Sequence, residues 1–424
     1  MQPNTTAFKK IIHSCGRMIQ TAYHYALAWL GDVVYEHPSA SIMVIAVTGT
    51  KGKSSVTEMI NAILEADGRV TAVSNSIRFK IARTSTPNTT RMSMPGRFAL
   101  QRFLSDAVDA GCSVAIVEMT SEGARQYRHR FIELDALVFT NLAPEHIESH
   151  GSFSAYADAK YRIGSNLVRS SKRPRIVVAN ADDPESTRYL TLPIEQPLPV
   201  TLKDGSPYSA DGRGATFTFD NTSIHISFPG EFSIRNALAA ATLTRALGIS
   251  TATIARGLRA LTIIPGRAER IEAGQNFTVI VDYAHTPDSL EALYSAYGSM
   301  RKICVLGSCG GGRDTWKRPL MGHIASTHCD TVILTNEDPY DEDPRVIVGD
   351  LSHGMGSKTP EIIMDRRLAI RRALELAHAS DVVLITGKGT DPSIMGPRGT
   401  HSPWSDAEVT RSEIESLLKK RSAL

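Results

Sequence analysis

From Ile42 onward the chain alternates between short apolar runs and longer stretches with helical periodicity. The runs "IMVIAVTG", "CSVAIVEM", "DALVFTNL" and "RIVVANAD" are rich in β-branched residues and bounded by turn residues. Unbroken apolar runs of that length predict strands buried on both faces, hence a mostly parallel sheet with helices on each side. Each run ends in polar residues, and ligands of open α/β sheets gather at the carboxyl ends of strands. The more polar stretch 190–228, with alternation such as "ATFTFDNTSIHISF", predicts antiparallel strands at a sheet edge. "SIRNALAAATLTRALGI" then reads as a helix by composition and period. After "PGRAERI" a second α/β series follows, with "FTVIVDYAHTP", "KICVLGSCGGG", "DTVILTNEDP" and "DVVLITGKGT". The predicted fold class is α/β, divided into an N-terminal helical segment 1–40, a central domain 41–267 and a C-terminal domain 268–424.

The segment "MIQTAYHYALAWLGDVVY", 18–35, is apolar but interrupted by His24 and Asp32. It is shorter than a membrane span usually needs and lacks a small-residue cleavage signature. It reads as an amphipathic helix packed on the body. The alternative is a surface helix that touches a membrane, because Lys9, Lys10 and Arg17 precede it.

Composition narrows the class. Of 424 residues, 42% are hydrophobic and 21% charged, which is ordinary for a soluble globular chain. The formal net charge of +3, without a long Lys/Arg run, excludes an electrostatic nucleic-acid binder. Cys15, Cys112, Cys304, Cys309 and Cys329 show neither a C-x-x-C pair nor a zinc spacing, and read as reduced thiols of a cytoplasmic protein.

The stretch "VIAVTGTKGKSSVTEMI", 44–60, passes from a strand through a glycine turn into a helix. Gly49 and Gly52 admit positive φ and close approach to an anion, with Thr50 and Lys51 between them. The amides at the start of the helix then favour negative charge. Lys53 can reach terminal phosphates, and the hydroxyl of Ser54 or Ser55 can bind Mg²⁺. The usual loop, G-x-x-x-x-G-K-[ST], has its first glycine where this chain has Val47. An ordinary strand–turn–helix junction is the plainer alternative, but the joint presence of glycine, lysine and serine favours a phosphate site.

"TGTKGKSS" resembles the shortened phosphate loop of the Mur ligases, the ATP-dependent amino-acid ligases of bacterial cell-wall synthesis, in which the first Walker glycine is commonly absent. "VEMTSEGARQYRH" resembles the "EVSSHGLxQHR" segment of the muramyl-tripeptide synthetases within that family. That resemblance implies Glu118 as a Mg²⁺ ligand and Thr120 and Arg128 as acceptor contacts, with Glu122 where the family has histidine. Read alone, these residues would be a strand-end carboxylate, a turn hydroxyl and a surface salt bridge. "FTNLAPEHIESHGSFSAYADAK" looks like "FTNLxxDHLDYHGxxxxYxxAK". It implies His146 as a Mg²⁺ ligand helped by Asn141, and Lys160 as a carbamylated lysine. A lysine ammonium beside Mg²⁺ would be repelled, whereas CO₂ added to the free amine gives an anion that suits a hard cation.

"NADDP", "PGEFSIRNALAA", "GRAER" and "VDYAHTPDSL" also resemble the synthetases. They imply that Asn236 reads adenine, that Arg267 and Asp282 contact phosphate and ribose, and that His285 belongs to the ATP site. "GSCGGGRDTWKRPLMG", "NEDPYDEDPR" and "LITGKGTD" look like the amino-acid pocket. Arg313 would clamp an α-carboxylate. Asp338, Pro339 and Tyr340 stand where diaminopimelate-specific forms read Asn-Pro-Arg, and Asp391 follows Gly387 where G-K-G-H-E ends in glutamate. Tyr340 cannot make the arginine's charge pair. Asp338 and Asp391 would suit the ammonium of a diamino acid, either L-lysine or meso-diaminopimelate.

The resemblance implies a P-loop-type central sheet and a Rossmann-like C-terminal domain that close on each other. It implies a cytoplasmic, monomeric, ADP-forming ligase that uses ATP and Mg²⁺ to join an amino acid to a muramyl-peptide precursor through an acyl phosphate. Two departures stand out. Only residues 1–41 precede the sheet, where the family has a UDP-binding domain, and the family's "TTP" reads Ser93-Met94-Pro95 or Ser85-Thr86-Pro87. Ser93 is carried as an acceptor contact, and a differently carried acceptor, docking through the N-terminal helix, is the matching expectation. The alternatives are a folylpolyglutamate synthase-like ligase, which shares the loop and the carbamylated lysine, and a nucleotide-binding homologue that has lost turnover.

Overall fold

Alternate residues of the strand Met43–Thr48 feed two different cores. Ile45 and Val47 pack with Val56, Ile60, Leu238 and Leu258 on one face of the sheet. Val44 and Ala46 pack with Leu100, Leu104, Ile163 and Leu167 on the other. The same division holds for Val114–Glu118, Ala136–Phe139 and Ile176–Asn180. Burial on both faces is what an unbroken apolar run requires, and each buried Val, Leu or Ile side chain is worth about 1.5–3 kcal/mol. The computed structural model describes residues 5–422 apart from His146, with side chains from Gln20 onward.

The first sheet runs in the order Thr84–Pro87, Arg78–Ile81, Thr71–Ser74, Val114–Glu118, Met43–Thr48, Ala136–Phe139, Ile176–Asn180, Gln196–Val200. All its pairings are parallel except the two that attach Arg78–Ile81 and Thr84–Pro87 at one edge. Helices Lys53–Ala66, Gly230–Ala246 and Thr251–Ala260 cover one face; Arg97–Asp109 and Phe153–Arg169 cover the other. The second sheet runs Glu269–Arg270, Thr278–Asp282, Val382–Thr386, Lys302–Leu306, Thr331–Leu334, Glu361–Ile362, parallel except for its first pairing. The fold is α/β, with a large mostly parallel sheet and a second parallel-rich one.

Two expectations change. The antiparallel strands of 190–228 do not form an edge of the large sheet. Only Gln196–Val200 joins that edge, and it does so in parallel. Ala215–Phe219 and Thr222–Ile226 belong to a separate three-stranded sheet, where Phe217, Ile224 and Ile226 pack against Ile234 and Leu238 of the helix Gly230–Ala246. The cysteines are not all reduced. Cys304 is disulfide-bonded to Cys329, 25 residues away, while Cys112 and Cys309 are free thiols. Cys304 lies in one strand and Cys329 just before its parallel neighbour, which brings their Cα atoms to 6.1 Å, a proximity that linear spacing does not reveal. Cys15 lies outside the described side chains.

The N-terminal helix spans Thr5–Val34 and packs on Arg97–Asp109. Among the described residues no helix is long and apolar enough to cross a membrane.

Candidate active site

The glycine turn is shaped by what crowds it. Gly49 has φ +146°, and a Cβ there would lie 1.9 Å from Thr140 Oγ1. Gly52 has φ +80°, and a Cβ would lie 2.4 Å from Asn236 Oδ1. Neither position tolerates a side chain, so the backbone bends tightly between the end of the strand Ala136–Phe139 and the helix Gly230–Ala246. Asn141 holds the turn from both directions: its Oδ1 accepts from the Lys51 amide at 2.9 Å, and its Nδ2 donates to the Lys51 carbonyl at 3.2 Å. Asn141 thereby braces the turn, a structural use beside the expected help to a metal. The helix begins at Lys53, with no side-chain cap from Gly52, and its first-turn amides open into a cavity of about 520 Å³.

Lys53, Ser54, Glu118 and Lys160 converge there. Lys53 Nζ donates to the Thr50 carbonyl at 2.9 Å and lies 3.9 Å from Glu118 Oε1. Ser54 Oγ donates to Glu118 Oε2 at 2.8 Å and lies 2.8 Å from Ser76 Oγ. From the second sheet's side, Arg267 Nη2 donates to Ser76 Oγ at 3.0 Å and reaches Ser54 Oγ at 3.4 Å. Its guanidinium stacks on the Tyr283 ring at 4.6 Å. Lys160, 2% exposed, donates to the Gly49 carbonyl at 2.6 Å. Burial, reinforced by Lys53, pushes its pKa well below that of a free lysine.

Other candidates divide. Ser55, Ser93, Thr120, Asn236, Asp282, His285 and Asp391 line the same cavity. Asp282 accepts from the Ala268 and Ala284 amides, each at 2.6 Å, so its carboxylate organises the adjoining loops. Thr120 Oγ1 accepts from the Gly123 amide at 3.1 Å and caps the helix Ser121–Arg125. Among the described residues Arg128 has no salt-bridge partner, unlike the plainer reading. It bonds to the Gln126 side-chain oxygen and the Met94 carbonyl, both neutral. His146 lies outside the described residues. Among the described residues no group of three or more His, Cys, Asp or Glu could hold a metal.

Arg313, Asp338, Pro339, Tyr340 and Gly387 are not part of this cavity's lining. Arg313 is exposed and stacks on the Tyr340 ring at 4.5 Å. Gly387, at φ +111°, leaves room for Glu337, whose Oε2 would be 2.3 Å from a Cβ there. Pro339 lies against Gly310. Asp338 is already neutralised: Lys388 Nζ donates to its two oxygens at 2.7 and 2.8 Å and to Asp391 at 3.3 Å. The two carboxylates expected to await a substrate ammonium therefore share an internal one.

Several participants were not singled out from the sequence. Glu145 Oε1 receives Lys51 Nζ at 3.1 Å and His285 Nε2 at 2.8 Å. Ser76 and Tyr156 also line the cavity. Glu145 sits inside a segment quoted for other residues; nothing near Ser76 in sequence marks it.

Comparison with known proteins agrees with this architecture. Residues 47–244 match the Mur ligase middle domain, and 266–389 the Mur ligase glutamate ligase domain. The chain is 36% identical over 420 residues to a UDP-N-acetylmuramyl-tripeptide synthetase of Roseiflexus sp. (strain RS-1), covering 92% of this chain and 82% of that one. It is 35% identical over 381 residues to a UDP-N-acetylmuramoyl-L-alanyl-D-glutamate--2,6-diaminopimelate ligase of Geobacillus kaustophilus, covering 86% and 77%. A solved structure of a ligase with that same name superposes with TM-score 0.60 at 28% identity, over 89% of this chain and 79% of that one. A Mycobacterium tuberculosis folylpolyglutamate synthase complexed with ADP superposes with TM-score 0.68 at 17% identity, over 92% and 94%, a likeness of fold alone. The chain belongs to the Mur ligase family, ATP-dependent enzymes that form amide bonds.

Proposed function

We propose that this ligase couples an amino acid to the free carboxylate of a muramyl-peptide precursor in peptidoglycan synthesis. ATP yields ADP and phosphate through an acyl phosphate. The observation that carries this reading is the meeting of Lys53, Ser54, Glu118, Lys160 and Arg267 at one end of a single cavity.

The first-turn amides and Lys53 stabilise the terminal phosphates. Asn236, with Phe228 and Phe232 as apolar wall, suits a planar base. The donor set near Ser54 fits Mg²⁺: Ser54 Oγ and the Glu118 carboxylate are hard oxygens, and such a site takes few protein ligands beside phosphate and water. When bound, Mg²⁺ supplies charge neutralisation of the transferred phosphoryl group. Lys160, whose burial favours the neutral amine, adds to CO₂: the N–C bond forms, one proton leaves, and a carbamate anion results. Arg267 and His285 enter from the second sheet's side, so the site is complete only when both parts meet, which keeps water from the acyl phosphate. The amine of the incoming amino acid then attacks the acyl carbon, and phosphate departs.

Arg313, exposed over Tyr340, is placed for an α-carboxylate. A diamino acid, L-lysine or meso-diaminopimelate, is the proposed class. It rests on the similarity to diaminopimelate ligases and not on Asp338 and Asp391, which Lys388 already occupies. The test is phosphate release with ATP, a panel of amino acids and either a UDP-linked muramyl dipeptide or a folate. Release that requires both a muramyl peptide and a diamino acid supports the reading. Release with folate and glutamate, or with no acceptor combination, overturns it.

A further inference from the structure

Ligation chemistry leaves the helix Thr5–Val34 without a task. One side of it is docked: the Tyr25 ring lies 5.8 Å from Tyr127 and 5.1 Å from Phe131, and His24 meets Arg97. The other side faces water. Ala22, Ala26, Trp29, Leu30, Val33 and Val34 are exposed, at spacings that place them along one face. Trp29 is 52% exposed and Val34 56%. Between Gln20 and Val34 the sole charged carboxylate, Asp32, is buried and paired with His37 at 2.6 Å. A contiguous apolar face of this kind marks an interaction surface.

The charge pattern selects the occupant. Residues 1–31 contain Lys9, Lys10 and Arg17 and not one Asp or Glu. Cations preceding a Trp-bearing apolar face match an anionic lipid surface. The same face of a second copy carries no anion to meet them. We propose that this helix lies in the interface of an anionic bilayer with its Trp29 face inserted. The docked side then has a consequence. Arg97 also donates to the Gln126 carbonyl, and Arg128 bonds to the Gln126 side chain, so bilayer contact holds the Arg128 side of the molecule at the membrane. The proposal rests on the helix and does not depend on the ligase substrates.

The test is sedimentation of the full chain with vesicles of phosphatidylglycerol and phosphatidylethanolamine. Binding is expected there, weaker by about tenfold or more on phosphatidylcholine alone and falling with salt. The variant Trp29→Glu/Val33→Glu should bind about tenfold more weakly with an unchanged melting temperature. Lipids brominated on their acyl chains should quench the wild-type tryptophan emission. Trp29→Phe should bind as well as wild type yet lose that quenching, a readout that survives if the double variant fails to fold. Absence of vesicle binding overturns the proposal, as does equal binding by the double variant or undiminished quenching in Trp29→Phe. A wild-type dimer that the double variant dissolves would instead assign the face to a second copy.

Discussion

Glu145 Oε1 lies 2.8 Å from His285 Nε2, joining the loop after one strand of the first sheet to the loop after a strand of the second. The same oxygen receives Lys51 of the glycine turn at 3.1 Å, so one carboxylate ties the phosphate loop to the opposite lobe.

Removing that tie should loosen closure. His285→Ala is expected to lower kcat about tenfold to a hundredfold, with a stability loss of roughly 1–3 kcal/mol. Steady-state kinetics and urea denaturation check it; an unchanged kcat would assign closure to Arg267 alone. The pH dependence has a definite sign. Both ring nitrogens face acceptors, Glu145 and the Tyr283 carbonyl, but burial and Lys51 oppose the ring's charge and lower its pKa to about 4. The unfolded chain therefore takes up a proton between pH 6.5 and about 4 that the folded chain refuses, and stability falls as pH drops through that window. His285→Ala should flatten this part of the profile.

Lys388, 1% exposed, is the common partner of Asp338 and Asp391. Lys388→Met leaves Asp338 buried without its cation, and the expected loss is about 3–5 kcal/mol. The double variant Lys388→Met/Asp338→Asn should recover much of it, because no unpaired charge is then left at Asp338. Thermal melting of both variants measures the difference; equal melting temperatures would deny that the pair is coupled.

The strands were legible because each is buried on both faces, so apolar runs such as "VIAV" carry the signal without help from the rest of the chain. The glycine turn was legible because Gly49, Gly52, Lys53 and Ser54 fall within one short stretch, 49–54. What the chain did not announce arises from residues far apart. Lys388 reaches Asp338 across 50 positions, and that contact gives the acidic pair an internal cation. Cys304 meets Cys329 only because their strands are neighbours. Ser76 joins Ser54 and Arg267 through three separate segments. Strand alternation in 190–228 was readable, but not which sheet the strands would join, since that depends on the helix Gly230–Ala246 packing over them.

Glu337 supplies a second pH test of opposite sign. It is fully enclosed, its Oε2 has no hydrogen-bond partner among the described residues, and burial raises its pKa from 4.5 to about 7. Between those values the unfolded chain releases a proton that the folded chain keeps, so stability is lost as pH rises from 4.5 to about 7. Glu337→Gln removes this linkage. Its advantage over wild type should be small at acid pH and reach up to about 3 kcal/mol above neutrality. Urea midpoints across that range decide; a constant difference would show that Glu337 is ionised throughout.

Lys160 offers the sharpest chemical test of the proposed site. Its amine is enclosed, donates to the Gly49 carbonyl at 2.6 Å and lies 4.7 Å from the Tyr156 ring centroid. With its pKa pushed well below a free lysine's by burial and Lys53, more of the amine is neutral, and a neutral amine is the form that attacks CO₂. The product exchanges a cation that Lys53 and Lys51 repel for an anion that they attract. Stripping CO₂ from the buffer should therefore lower ligation, and bicarbonate should restore it. Lys160→Ala should lose roughly 10²–10³ in kcat, as expected for a deleted electrostatic group, and should gain nothing from bicarbonate. Labelled bicarbonate should give a carbamate carbon resonance in the wild type that is missing in the variant. A wild-type enzyme that keeps full activity without CO₂ and shows no such resonance would leave Lys160 with only its bond to Gly49, a brace for the turn.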